Sequence, residues 1–196
     1  MIEEYIPKFM DILYDEDIKN RVNFNEVRDA FHTNQIVSKN DAIIGFSKLP
    51  KTKFKNVLYI GSWLGVLTKY FCDKYPDYNF SQLDYDLRIE PVSKKLLINS
   101  ANHVNYFNIN VFEFDKFNDF STVVNLSTEH MANSWFDQLP MGTEVVMQSN
   151  NFKLDDHINI CDNINDMKSR YRLSELYYEN TIELNVYNRF TLVGRK

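Results

Sequence analysis

The 196-residue sequence is poor in glycine and proline, five of each, so flexible linkers are scarce and most of the chain can enter regular structure. It has two cysteines, Cys72 and Cys161, far apart and without the spacing of a metal site. The opening MIEEYIPKFM places acids where a secretory leader has a basic region and an apolar run, and a reduced, cytoplasmic protein is expected. No apolar run approaches the roughly 20 residues of a membrane helix. Positive charge is not in excess either: 22 Lys and Arg face 27 Asp and Glu, a net charge of -5 that opposes nucleic-acid binding by broad phosphate neutralisation. Lys51, Lys53 and Lys55 form the one dense basic stretch, which reads as a solvated loop. The four histidines, His32, His103, His130 and His157, lack zinc-ligand spacing, and no structural metal is expected. What the chain does have is a 44% hydrophobic and 15% aromatic composition, enough for the core of one globular unit.

The periodicity changes along the chain. Ile2, Tyr5, Ile6, Phe9, Met10 and Leu13 recur at three- and four-residue steps, and Ile18, Val22, Val27 and Phe31 form a second helical stripe. A third helical segment spans Asp41 to Leu49 and stops before Pro50. From Asn56 onward short β-rich runs alternate with amphipathic stretches, the pattern of an α/β sheet. Strands are predicted at Val57 to Ile60, Asn79 to Asp84, Tyr106 to Ile109, Thr122 to Leu126 and Glu144 to Gln148. The helices between them are predicted at Gly65 to Lys74, Pro91 to Ser100 and Met131 to Gln138. The stretch from Asn110 to Ser121 is too short for a full crossover helix, so a reduced helix or turn is expected there. Asp162 to Arg170 reads as a further helix. Ser174 to Leu184 and Asn188 to Gly194 read as two strands joined near Asn185, an antiparallel hairpin closing the sheet.

The most informative segment is Lys55 to Phe71: a buried strand, a turn bracketed by Gly61 and Gly65, then a helix. Glycines there permit otherwise costly dihedrals and close approach of a ligand, and free N–H groups at the helix start favour an anion; the same turn also occurs for packing alone. Asp84 follows Gly61 by 23 residues, near the offset at which an acid accepts hydrogen bonds from a ribose diol. Asp86 competes for that role.

With these residues in order, the chain from about Asn56 to Lys196 resembles the class I S-adenosylmethionine-dependent methyltransferases. VLYIGSWLG is similar to the family's first motif, LDYD to its second-strand acid motif, NYFNINVFEF to its third, VVNLSTEHM to its fourth, and LPMGTEVVMQSNNF and YNRFTLVGRK to its last strands. The resemblance implies a Rossmann-like α/β fold with a mostly parallel seven-stranded sheet and a C-terminal antiparallel hairpin, preceded by N-terminal helices. Residues 1–55 would then form a cap or packing segment, and residues 56–196 the ligand-binding unit. It further implies S-adenosylmethionine as cofactor, bound by Tyr59, Gly61, Ser62, Trp63, Gly65, Asp84, Tyr85, Asn110, Val111 and Asn125. Within that set Asp84 would hold the ribose, Tyr85 would border the adenine, and Asn110 would face the adenine amino group with Val111 and Phe112 beside the ring. Two positions depart from the family. Tyr59 replaces an acid, and Trp63 stands where many members have a third glycine; its indole could wall the donor pocket, contact a sulfonium by cation–π attraction, or simply pack.

The segment Asn125 to His130 follows the fourth strand at the sheet's C-terminal edge, where open α/β folds bind ligands. Glu129 or His130 could serve as base toward a methyl acceptor, or could cap and pack the next helix. Gln148, Ser149, Asn150 and Asn151, with His157 beyond, suit recognition of a polar small molecule or form an Asn-rich turn. The expected activity is methyl transfer to a small polar acceptor. Alternatives are aminoalkyl transfer or cleavage of the same donor, or binding without turnover. The N-terminal helices could cap the pocket, flank the sheet or pair two copies in a homodimer.

Overall fold

A computed structural model describes residues 2–51, 55–100 and 104–196. A short 3-10 turn, Ile2–Tyr5, leads into α1 (Ile6–Ile12), α2 (Glu16–Lys19), α3 (Phe24–Ala30) and α4 (Thr33–Phe46). Then follow β1 (Asn56–Ile60), α5 (Val66–Lys74), β2 (Asn79–Leu83), α6 (Ile89–Leu97), β3 (Val104–Phe107), β4 (Thr122–Asn125), α7 (Ser134–Asp137), β5 (Glu144–Asn150), α8 (Ile164–Arg170), β6 (Glu175–Glu183) and β7 (Asn188–Arg195). The seven strands lie in the order β3-β2-β1-β4-β5-β7-β6, parallel from β3 to β5, with β7 antiparallel to both β5 and β6. From β1 the chain moves outward to β2 and β3, and from β4 outward the other way. This reversal opens a crevice at the C-terminal ends of β1 and β4.

Successive residues of β1 serve opposite faces, as the two-residue period of a strand demands. Val57 and Tyr59 join one apolar cluster with Phe46 of α4, Phe71 of α5 and Leu96 of α6. Leu58 and Ile60 join another with Trp135, Met167 and the phenylalanines after β3. Ile2, Phe9, Ile18 and Val27 belong to the first cluster, so the N-terminal helices share a core with the sheet. Close approach of α4 to the sheet depends on Gly45, where a Cβ would stand 2.7 Å from Cγ2 of Val193.

The element order matches the sequence reading, while several boundaries move for local reasons. The second N-terminal stripe is two helices: Asn23 accepts hydrogen bonds from the Asn25 and Glu26 N–H groups, and Glu26 accepts from the Asn23 N–H, a capping box that starts a new helix. The third helix begins at Thr33 rather than Asp41 and ends at Phe46. The α6 helix begins at Ile89, with Pro91 in its first turn, where a missing N–H costs nothing. β3 runs from Val104 to Phe107, two residues earlier than predicted, in register with Phe80 to Leu83. Within the predicted helix Met131 to Gln138 only the short α7 forms, and a 3-10 turn, Thr128–His130, precedes it. Between β3 and β4 the chain makes two 3-10 turns, Val111–Glu113 and Phe117–Asp119, the reduced connection expected. β5 extends to Asn150 because β7 pairs with it over all seven residues. Lys53 and His103 lie outside the described residues.

Candidate functional site

The turn after β1 is built from left-handed backbone. Gly61, Trp63 and Gly65 have φ of 61°, 51° and 76°. An L-residue there pays about 1 kcal/mol or more, so Trp63 keeps a conformation better suited to glycine. The turn is tied to the end of β2: the Gly61 N–H donates to the Leu83 carbonyl at 2.9 Å, and the Trp63 N–H donates to Asp84 Oδ2 at 3.3 Å. Asp84 Oδ1 accepts the Asp86 N–H at 3.1 Å. Burial pushes the Asp84 carboxyl above its usual value, against the pull of these backbone donors. A carboxylate has about four acceptor positions. Two on Asp84 are filled by the backbone, which leaves room for a diol. Asp86 is committed elsewhere: its carboxylate pairs with Arg88, which also reaches Glu26 at 2.9 Å, and this holds Asp86 below the ordinary carboxylate range. Both acids border the same cavity, but only Asp86 is tied to a guanidinium.

These elements open onto a cavity of about 600 Å³, within the range of small-molecule sites. One end, beside β2 and β3, is lined by Asp84, Tyr85, Ile109, Asn110, Val111 and Phe112. Tyr85 and Phe112 are exposed there, 78% and 42%, and present open aromatic faces. Asn110 Oδ1 accepts the Phe112 N–H at 3.1 Å, which fixes the amide's orientation. The middle is lined by Tyr59, Gly61 and Trp63. Burial raises the Tyr59 hydroxyl well above its ordinary value, so it stays protonated. Three residues expected at the site do not line the cavity. Ser62 is buried; Gly65 packs so tightly that a Cβ would meet Ser93 Oγ at 2.2 Å. Asn125 is also fully buried: its Oδ1 accepts the Ser127 N–H at 3.0 Å and its Nδ2 donates to Met131 Sδ, so it shapes the loop after β4.

The other end lies under α3 and α4, toward β4, β5 and β7. The 3-10 turn carrying Glu129 and His130 is pinned by Thr128 Oγ1, which donates to the Gln148 carbonyl at 2.8 Å. Glu129 is buried, and its Oε1 accepts from Asn150 Nδ2 at 2.6 Å and Arg189 Nη1 at 3.0 Å. The Arg189 guanidinium, also buried, donates further to Gln148 Oε1 at 3.3 Å and to the Leu126 carbonyl. Glu129 Oε2 has no hydrogen-bond partner among the described residues. His130 is partly exposed, with Nδ1 3.3 Å from Asp156 Oδ2 and its ring edge-to-face with His157, centroids 4.6 Å apart. The polar run after the predicted fifth strand is inside the sheet instead. Gln148, Ser149 and Asn150 are buried strand residues, with Gln148 on the cavity wall, and Asn151 Oδ1 accepts the Asn188 N–H at 2.8 Å. β7 is what buries them.

Lys39 and Arg189 on the cavity wall escaped the sequence reading. Lys39 Nζ donates to the Ala30 carbonyl at 3.1 Å and to Gln35 Oε1 at 3.3 Å. Burial, reinforced by the Arg189 charge and opposed by Asp29, lowers its pKa to about 7. Arg189 is buried because β7 pairs with β5 and sets it opposite Asn150 on a covered strand. Lys39 had no readable signal, because a lysine within a helix is ordinarily solvated.

No family model and no curated protein matches the sequence. Solved structures do match its fold. The plantazolicin methyltransferase BpumL, in complex with SAH, superposes with a TM-score of 0.62 at 11% identity, over 100% of this chain and 98% of that one. Coclaurine N-methyltransferase, bound to N-methylheliamine and SAH, gives 0.59 at 12% identity, over 87% of this chain and 59% of that one. The [4+2]-cyclase SpnF gives 0.64 at 8% identity, over 83% and 82%. The architecture is therefore that of the class I methyltransferases, a fold that also carries a cyclase, so the reaction must be argued from the site.

Proposed function

We propose that the chain binds S-adenosylmethionine in this cavity and transfers its methyl group to a small polar acceptor. The observation that carries the reading is the convergence of the left-handed turn after β1 and the Asp84 carboxylate on one cavity, joined by the Trp63 N–H. In this reading Asp84 holds the ribose diol and the adenine lies among Tyr85, Asn110, Val111 and Phe112. Tyr59, Gly61 and Trp63 border the sulfonium. Lys39, neutral or charged at little cost near pH 7, faces the donor's carboxylate and takes up a proton on binding it. Ser62, Gly65 and Asn125 act indirectly, by shaping the loops.

S-adenosylmethionine supplies an electrophilic methyl carbon. The acceptor's lone pair forms a bond to that carbon, the carbon–sulfur bond breaks, and its electron pair stays on sulfur as a neutral thioether. The protein's share is alignment and removal of the acceptor's proton. Glu129 is engaged by Arg189 and Asn150, so the partly exposed His130 receives the proton, its Nδ1 oriented by Asp156. Similarity of fold to SAH-bound methyltransferases supports the choice of donor.

Titration calorimetry with S-adenosylmethionine and S-adenosylhomocysteine tests the reading. Binding is expected, and Asp84→Ala should weaken it by about 30- to 150-fold, the loss of charge-assisted hydrogen bonds worth about 2–3 kcal/mol. Absence of binding, or full affinity in Asp84→Ala, overturns the assignment. Mass spectrometry of the products separates methyl transfer, which leaves S-adenosylhomocysteine, from aminoalkyl transfer, which leaves methylthioadenosine.

A further inference from the structure

His130 and His157, twenty-seven positions apart, show no ligand spacing in the sequence, yet they meet in the fold. We propose that Glu129, His130 and His157 form a binding site for a first-row divalent transition cation at the acceptor end of the cavity.

One donor atom from each of these three residues lies within 4.8 Å of the others. In each residue one polar atom is already occupied, which leaves a lone pair on the other for a ligand. The Phe152 carbonyl can only accept, so His157 Nδ1 carries the proton in their 2.7 Å contact and Nε2 keeps its lone pair. The Asp156 carboxylate beside His130 Nδ1, at 3.3 Å, selects the same tautomer there. Glu129 Oε1 takes both Asn150 and Arg189, while Oε2 is buried with no hydrogen-bond partner among the described residues. A histidine whose other nitrogen donates to a carbonyl or carboxylate is the usual outer-shell arrangement of a metal ligand. An unpartnered buried carboxylate oxygen is costly unless a cation or proton meets it.

The backbone also holds the two segments together. The Asn159 N–H donates to the Glu129 carbonyl at 2.9 Å, and Asn159 Nδ2 donates to the Thr128 and Met131 carbonyls at 3.2 and 3.0 Å. The loop carrying His157 is therefore clipped to the turn carrying Glu129 and His130. With metal–ligand bonds of about 2.0–2.2 Å, ligand atoms stand roughly 3–4 Å apart. Small shifts of the two imidazoles that keep their Phe152 and Asp156 contacts would close that gap. Arg189 and Lys39 oppose a cation from the β7 and α4 side, but Arg189 is spent on Glu129 Oε1, Gln148 and the Leu126 carbonyl, and Asp156 adds negative charge on the other side.

Two imidazoles and one carboxylate suit Zn²⁺, Mn²⁺, Co²⁺ or Fe²⁺, whereas Mg²⁺ and Ca²⁺ prefer all-oxygen shells. Three protein ligands leave coordination positions open. An acceptor whose oxygen, or pair of adjacent oxygens, fills them would have its proton affinity lowered by the cation. This last step rests on the proposed methyl transfer and makes His130 a ligand rather than the direct base. The cation site itself does not depend on it.

The test is titration of the full, metal-stripped chain with Zn²⁺ and with Co²⁺, without S-adenosylmethionine, followed by calorimetry and by the visible absorption of Co²⁺. One equivalent is expected to bind, with Mg²⁺ failing to compete, and His157→Ala and His130→Ala should each weaken binding by more than the roughly 10- to 100-fold that loss of an outer-shell partner costs. Both side chains are partly exposed, so these variants should keep the wild-type circular dichroism spectrum; Glu129→Gln, in a buried ion pair, is the less secure probe. No saturable binding, or unchanged binding in the His130→Ala/His157→Ala double variant, overturns the proposal. Donor binding is measured separately, so failure of the methyl-transfer reading leaves this result interpretable, and the reverse holds too.

Discussion

Lys39 offers the sharpest physical test, because a buried amine on a cavity wall must make stability depend on pH in a known direction. Its pKa is lowered from 10.5 in the unfolded chain to about 7 in the fold. Between these values the unfolded chain binds more protons than the folded one, so Lys39 makes stability rise with pH across that window. Below pH 7 both states are protonated and the penalty is complete; above 10.5 both are neutral and it vanishes. At about 1.36 kcal/mol per tenfold, the gap amounts to roughly 5 kcal/mol. Lys39→Met removes the charge and keeps most of the volume, while leaving the Ala30 carbonyl and Gln35 Oε1 short of a donor at a cost of about 1–3 kcal/mol. The variant should therefore be more stable than wild type by a few kcal/mol below pH 7. It should lose that advantage as pH rises toward 10.5. Urea denaturation of both proteins across the window measures the difference, and the subtraction cancels every other titrating group. A difference that stays constant with pH refutes the argument. A variant less stable at low pH refutes it as well.

The buried Glu129–Arg189 pair gives a second check by urea denaturation: Arg189→Met strands a carboxylate in the interior and should cost about 3–5 kcal/mol, and adding Glu129→Gln should recover much of it. A loss under about 1 kcal/mol for the single variant would show that Glu129 is solvated. At the left-handed turn, Trp63→Gly should be about 1 kcal/mol more stable than Trp63→Ala, since both lack the indole and only the second keeps a Cβ at φ 51°. Equal thermal midpoints for the two would show that the turn relaxes without strain.

The parts of this protein readable along the chain are those in which cause and effect are neighbours. The continuous apolar run of β1, the glycines on either side of its turn and the distance to Asp84 all follow from backbone dihedrals and strand length. The hairpin of β6 and β7 likewise declares itself in two β-rich runs and a short turn. Local chemistry also shapes the chain, as the Asn23 capping box divides one stripe into two helices and Arg88 pairs with Asp86. The polar interior was hidden from such reasoning. Ser149 and Asn150 look like a loop until β7 lies beside them, Lys39 looks solvated until α4 is laid over the sheet, and the Glu129, His130 and His157 cluster forms when Asn159 clips one loop onto another. Burial of a polar side chain is decided by partners remote in sequence that replace its water. That is why the end of the cavity beside β2 and β3 can be traced from motifs and spacing, whereas the end under α3 and α4 takes shape in three dimensions.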